Sequence, residues 1–222
     1  MDLGNLRNTV LFKSMSEDEL KECLKGCSAR VSEYSKGTVI LFSGEPADVL
    51  GLVLKGSVTV ESNDVWGNRT VLSIVGKGQL FAETYAVLKD QVMLVDAVAN
   101  EDCTCLMLSI KEAMKDTPSV PWKNKLMMNL LLISAHKNLT LSERSFHTSP
   151  KSARGRILSY LNTEALKAGT DEFDIPFDRQ QMADYLNLER TNMSKELGRM
   201  QREGILRFRK NHFKLIRSDI SD

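Results

Sequence analysis

No apolar run in this sequence reaches the roughly 20 residues that a bilayer-spanning helix needs. The longest, LMMNLLLISA, covers residues 126–135. The opening residues MDLGNLRNTV show no basic-then-apolar leader pattern, so a cytoplasmic protein without a membrane partner is expected. Cysteine is sparse and carries no C-x-x-C metal spacing: Cys23 and Cys27 lie four apart, Cys103 and Cys105 two apart. The second pair shares one face of an apparent strand. All four read as buried free thiols in a reducing cytoplasm. Histidine is scarcer still, at His136, His147 and His212. No nucleophile–base pairing, phosphate loop or metal-ligand set is apparent, and Glu83 has no acid–base partner nearby, so no enzyme is expected. Internal repeats and low-complexity segments are missing too.

What is present supports a folded chain with a core. Hydrophobic residues make up 42% of the 222 and charged residues 27%, with a formal net charge of +1. From Pro150 onward 14 Lys+Arg face 11 Asp+Glu, a net of +3, which leaves 16 against 18, or −2, for the rest. The positive half is the C-terminal one.

Three regions follow along the chain. Ser16 and Glu19 in SEDELKECLKGCS have capping-box spacing ahead of a short helix. Residues 31–110 then read as short apolar strands, GTVILFSGE, LGLVLKGSVTV, TVLSIVGKGQLFAE and VDAVANEDCTCLMLS. Gly37, Gly44, Gly56, Gly67 and Gly78 recur about every ten residues, the rhythm of an antiparallel barrel or roll. VLGLVLKGSVTV alternates imperfectly, as a strand buried on both faces would. From Trp122 to Phe146 no proline or glycine interrupts a rod of about 37 Å, with Pro121 suited to its first turn. Met128, Leu132, Ala135, Leu139 and Phe146 form one seam, and Leu126, Leu130 and Ile133 a second. One seam can pack on the roll. The other needs a second surface, supplied by a twin helix across a two-fold axis or by burial inside one chain. Ser149 and Pro150 are placed as N-cap and first residue of the next helix, and KAGTDEFDIPFD as a loop or short hairpin.

Asp178 and Gln181 again have capping-box spacing, and Asn187 suits the left-handed turn that would end that helix. A second helix begins near Glu189, with Met193, Leu197 and Met200 on its inner side and Arg190, Thr191, Ser194, Lys195, Gly198 and Arg202 opposite. ILRFRKNHFKLI follows as a basic hairpin turning at Lys210-Asn211, with Arg207, Arg209, Lys214 and Arg217 projecting, a winged helix-turn-helix. Arg190 and Lys195 can reach guanine, Thr191 and Ser194 base edges or phosphate, and Asn192 the margin. Arg179 and Lys210 complete the candidate DNA contacts, with phosphates neutralised by the wing. The bland alternative is a helix pair with ordinary surface charge.

As a set these features resemble the Crp/Fnr family of bacterial transcription regulators along nearly the whole chain. YSKGTVILFSGEPAD resembles the family's first strand pair, GKGQLFAE its turn into the effector-binding segment, and DRQQMADYLNLERTNMSKELGRMQREGIL its DNA-reading module. The resemblance implies an α+β protein: an N-terminal antiparallel β-roll (double-stranded β-helix) for effector binding over 1–118, a dimerisation helix over 119–148 and a winged helix-turn-helix over 149–222. It also implies a homodimer on a palindromic double-stranded DNA operator, contact with RNA polymerase, and base reading by Arg190, Thr191, Ser194 and Lys195. In cyclic-nucleotide-binding members a glutamate holds the ribose and an Arg-Ser pair the cyclic phosphate. Glu83 matches the glutamate, but Met93 and Leu94 fall where the pair would be. Burying a phosphate without a cation costs several kcal/mol, so cyclic AMP is not expected. Haem is not expected, because no histidine lies in the roll. An iron–sulfur cluster is not expected either, because Cys23 and Cys27 lie inside a helix; a thiol switch between them stays open. Phe81, Glu83, Thr84, Tyr85, Met93 and Leu94, closed by Leu139 and Ser142, are the candidate lining for an uncharged small-molecule effector, with a filled core as the alternative. A sensor that regulates a partner protein without DNA is the rival reading of the whole.

Overall fold

The computed structural model describes residues 3–63, 66, 69–88, 91–111, 113–115 and 120–216. Gly67, Arg217 and the expected boundary at 118/119 lie outside the described residues. The chain divides into two compact units, residues 1–135 and 136–222.

The first unit opens with α1 (Leu3–Arg7), a short 3-10 turn at Val10–Phe12 and α2 (Glu17–Gly26). Ser16 and Glu19 form the reciprocal capping box in front of α2. Eight strands follow: β1 (Arg30–Tyr34), β2 (Val39–Leu41), β3 (Leu50–Lys55), β4 (Val58–Asn63), β5 (Arg69–Val75), β6 (Leu80–Phe81), β7 (Asp96–Ala99) and β8 (Cys103–Leu108), with α3 (Glu83–Val87) after β6. They form two antiparallel sheets, ordered β1-β8-β3-β6 and β2-β7-β4-β5. Strands β3 and β8 are covered on both faces, which accounts for their imperfect alternation. Leu50, Leu52, Leu106 and Leu108 pack with Leu20 of α2. Val53, Cys103, Cys105 and Met107 turn the other way, into the roll's interior with Val58 and Phe81.

Helix α4 (Pro121–Thr148) begins at Pro121, as expected. Its first half belongs to the first unit, its second half to the other. Within the first unit Trp122, Leu126 and Leu130 are buried against the roll's helical side. The Asn129 amide donates to the carbonyls of Leu11 and Lys13 at 2.9 and 3.0 Å. Met128, Leu132, Leu139 and Phe146 are 55, 49, 58 and 64% exposed. The two seams are thus different surfaces, one spent on the roll and one left bare.

The second unit contains α5 (Ala153–Ala168), β9 (Glu172–Asp174), α6 (Arg179–Tyr185), α7 (Arg190–Arg202), β10 (Leu206–Arg209) and β11 (His212–Leu215). Helix α5 starts later than Ser149-Pro150 suggested. Ser152 is its N-cap, its hydroxyl accepting the Gly155 amide, while the Ser149 hydroxyl donates back to the Phe146 carbonyl at the end of α4. The segment expected as a loop or short hairpin supplies β9, which completes a sheet of order β10-β11-β9. Ile157, Met182, Leu186, Leu197 and Phe213 form the core.

Gly51 of β3 shows how tight the roll is: a Cβ there would stand 2.0 Å from the Phe81 ring, and Phe81 is itself fully buried. Gly51→Ala is expected to destabilise the first unit by about 1–3 kcal/mol through overpacking, measured by urea denaturation of the full chain.

Candidate nucleic-acid interface

The turn between α6 and α7 is built as the side chains require. Asp178 and Gln181 form the capping box of α6. Asn187 takes the left-handed conformation at φ 51°, which its short polar side chain tolerates. Two arginines hold the carbonyls at the end of α6. Arg156 donates to Leu186 and Asn187 at 3.3 and 2.9 Å, and Arg144 to Tyr185 at 3.3 Å. Such cations complement the negative end of a helix.

Helix α7 then buries Met193, Leu197 and Met200 completely. Arg190, Thr191, Asn192, Ser194 and Lys195 are all exposed on its N-terminal half. The helix also carries acid, but Arg154 of α5 draws it inward. Its Nε lies 2.6 Å from Glu196 Oε1 and its Nη1 2.8 Å from Glu203 Oε2. The two carboxylates hold Arg154 above its usual pKa, and the Arg154 guanidinium holds Glu203 below the usual carboxylate range. Glu189 precedes the helix as N-cap in extended backbone. The Thr191 hydroxyl and then the backbone amides of Thr191 and Asn192 lower its pKa. An acceptor-only group at this tip can take the cytosine N4 donor, a capacity not read from the sequence.

The wing makes uneven use of its cations. Lys210 sits exposed at the turn with φ 54°, and Arg207 and Arg209 are exposed on β10. Lys214 is tied to Glu172 at 2.6 Å. Arg179 is half-buried. Its guanidinium lies 4.8 and 5.0 Å from the Phe208 and Phe213 ring centroids, and its Nη2 donates to the Lys210 carbonyl at 2.6 Å. That joins α6 to the wing turn. His147, unremarked as a site in the sequence, is buried between the Tyr185 and Thr163 hydroxyls at 3.0 and 2.9 Å, and burial lowers its pKa.

Six of the eight candidate effector residues lie in the first unit and two in the second. Phe81 and Met93 are buried, whereas Leu94 is 75% exposed. Glu83 is buried at the start of α3, after Ala82 in the left-handed region at φ 59°. Thr84 is exposed, and the half-buried Tyr85 hydroxyl accepts the Leu94 amide at 3.3 Å. Leu139 and Ser142 are exposed residues of the second unit.

Comparison with known proteins agrees with both units. Residues 31–115 match the model of the cyclic nucleotide-binding domain, and residues 155–219 that of the Crp-like helix-turn-helix domain. The chain belongs to the Crp/Fnr family of transcription regulators. The transcriptional activator protein FnrL of Cereibacter sphaeroides is 26% identical over 78% of this chain and 71% of its own length. The cyclic AMP receptor protein of Thermus thermophilus is 24% identical over 91% of this chain and 90% of its own. In fold, the c-di-GMP responsive regulator CLP of Xanthomonas campestris superposes with a TM-score of 0.55 at 17% identity, over 91% of this chain and 100% of that one. Among the described residues no helix of this Crp/Fnr regulator is long and apolar enough to cross a membrane.

Its wing carries a titratable group. The His212 Nε2 lies 3.2 Å from Glu172 Oε1 and its Nδ1 3.1 Å from Asp174 Oδ1. A neutral imidazole donates from one nitrogen, so this arrangement fits the imidazolium, and Glu172 then Asp174 raise the pKa. The contribution to stability is complete below the unfolded value of about 6.5 and is lost as pH rises through the higher folded value. DNA affinity, measured by fluorescence anisotropy, is expected to strengthen as pH falls from about 8 to about 6.5 because the wing gains positive charge. His212→Gln should flatten that dependence.

Proposed function

We propose that this regulator works as a homodimer in the cytoplasm, setting two copies of α7 into successive major grooves of a palindromic operator and acting on RNA polymerase at the promoter. The observation that carries this is the pairing of Glu196 and Glu203 with Arg154, which leaves a cationic, hydroxyl-bearing surface at the positive end of the α7 dipole. Arg190 and Lys195 would read guanine, Thr191, Asn192 and Ser194 neighbouring edges or phosphate, and Lys210 the backbone. Arg179 supports them by holding the wing. The bare apolar seam of α4 supports pairing with a second copy. The role is binding rather than catalysis, with an uncharged small molecule as effector.

Gel shift against the DNA upstream of the protein's own gene tests the reading. Affinity should fall steeply between two salt concentrations, with a log–log slope near 0.9 per phosphate neutralised. Arg190→Ala and Lys195→Ala should each lower specific affinity by about 1–3 kcal/mol. Equal binding to unrelated DNA before and after substitution defeats the assignment.

Cyclic AMP should not bind productively. Met93 and Leu94 stand where the resemblance places the phosphate-holding Arg-Ser pair, and Met93 is 3% exposed, so a charged phosphate would enter without a cation. Isothermal calorimetry is expected to give no heat at micromolar ligand, and a micromolar Kd would overturn the expectation.

A further inference from the structure

Strand β8 brings Cys103 and Cys105 to the same side, with their sulfurs 4.0 Å apart. Met107 follows two residues later on that side, also buried. The side chains packed around the three include Val53, Val58, Phe81 and Ala97. The pair is therefore a dithiol in hydrocarbon, with a thioether next along the strand.

We propose that Cys103 and Cys105 form a binding site for a soft divalent cation of the cadmium or mercury class, with Met107 as its third sulfur neighbour. Three observations on the strand lead there. First comes spacing: a thiolate sulfur sits about 2.3 Å from zinc, and two sulfurs 4.0 Å apart are near enough to share one ion at that distance or a somewhat longer one. Second comes charge. Each thiol gives up its proton, so one divalent ion and two thiolates make a neutral unit and two protons leave to solvent. A monovalent ion would leave a net negative charge in a dry interior, and that is costly. Third comes ligand type: thiolate and thioether select soft ions, whereas magnesium and calcium require oxygen.

The two thiols are not equivalent. Cys105 is completely buried, and burial pushes its pKa up to about 12. Cys103 retains 4% exposure at the end of the strand, beside the glycine turn at Gly56. An entering ion meets Cys103 first and Cys105 second. Because the thiols must deprotonate, capture strengthens as pH rises. Cys23 and Cys27, a second buried pair in the other core of the unit, must be told apart from them by experiment.

Full-length protein is titrated anaerobically with cadmium chloride, read by sulfur-to-metal charge-transfer absorption, by proton release in weak buffer and by Tm. Wild type should take up one more equivalent than C103A/C105A, with two protons released for that equivalent. C23A/C27A should retain it. Cadmium should raise the Tm of wild type and of C23A/C27A, since a ligand bound only to the folded state stabilises it. Equal uptake by wild type and C103A/C105A overturns the proposal, as does an equivalent bound without proton release. Circular dichroism of the metal-free C103A/C105A protein checks its fold. Should that variant not fold, C103A alone is expected to lower cadmium affinity at least tenfold, and unchanged affinity would overturn the proposal.

Discussion

Two carboxylates, Glu196 of α7 and Glu203 just past its end, shape the charge that this helix displays, and both pair with Arg154. Glu196 and Glu203 lie seven residues apart, two turns along one stripe of the helix. Arg154 on α5 reaches both, at 2.6 and 2.8 Å. An arginine suits this because its planar guanidinium donates in two directions at once. Without it, two negative charges would sit on a helix otherwise lined with Arg190, Lys195, Arg199 and Arg202. The pairing therefore does more for the pattern of charge than for stability, since partly exposed ion pairs contribute little to folding. Arg199 reinforces it from the outer side by reaching Glu203 at 3.0 Å.

The remaining arginines of the second unit divide between structure and display. Arg144 and Arg156 point at the carbonyls of the turn, and Arg179 lies over two phenylalanine rings. These three are spent on geometry: they fix the angle at which α7 leaves α6 and the place of the wing turn relative to α6. A basic residue near a helix-turn-helix is thus not by that fact a DNA contact. Arg190, Lys195, Arg207, Arg209 and Lys210 are among the cations that stay exposed.

Much of this was legible in the sequence because the relevant signals are local. The capping boxes at Ser16 and Asp178, the left-handed Asn187, the 3-4 seams of α4 and the strand shared by Cys103 and Cys105 each follow from spacing within a few residues. What was not legible depends on partners far along the chain. Ser149-Pro150 has the composition of a helix start, yet Ser152 has an equally good hydroxyl and the helix begins there. Residues 172–174 are too few to announce a strand until Phe213 and its neighbours provide one to pair with. Nothing near Arg154 or Arg179 in sequence tells that one pairs with two carboxylates and the other lies over two rings. Nor could local alternation tell that Leu94 is exposed while Met93 beside it is buried.

The roll adds a constraint on what can be sensed. In the first unit the buried polar residues among those described are Ser57, Thr59, Glu61, Glu83, Asp96 and Asn129, and none of them is a cation. Asp96 is satisfied by the Ser43 amide and the Asn63 side chain, and Glu61 by Arg69, whose own side chain is half exposed. Phe81 fills the space above Gly51, and Met93 fills its own. An anion entering this interior would find acid and hydrocarbon, with desolvation uncompensated. On the proposals above, that interior would suit an uncharged molecule, or a divalent ion whose charge two thiolates balance once their protons have left.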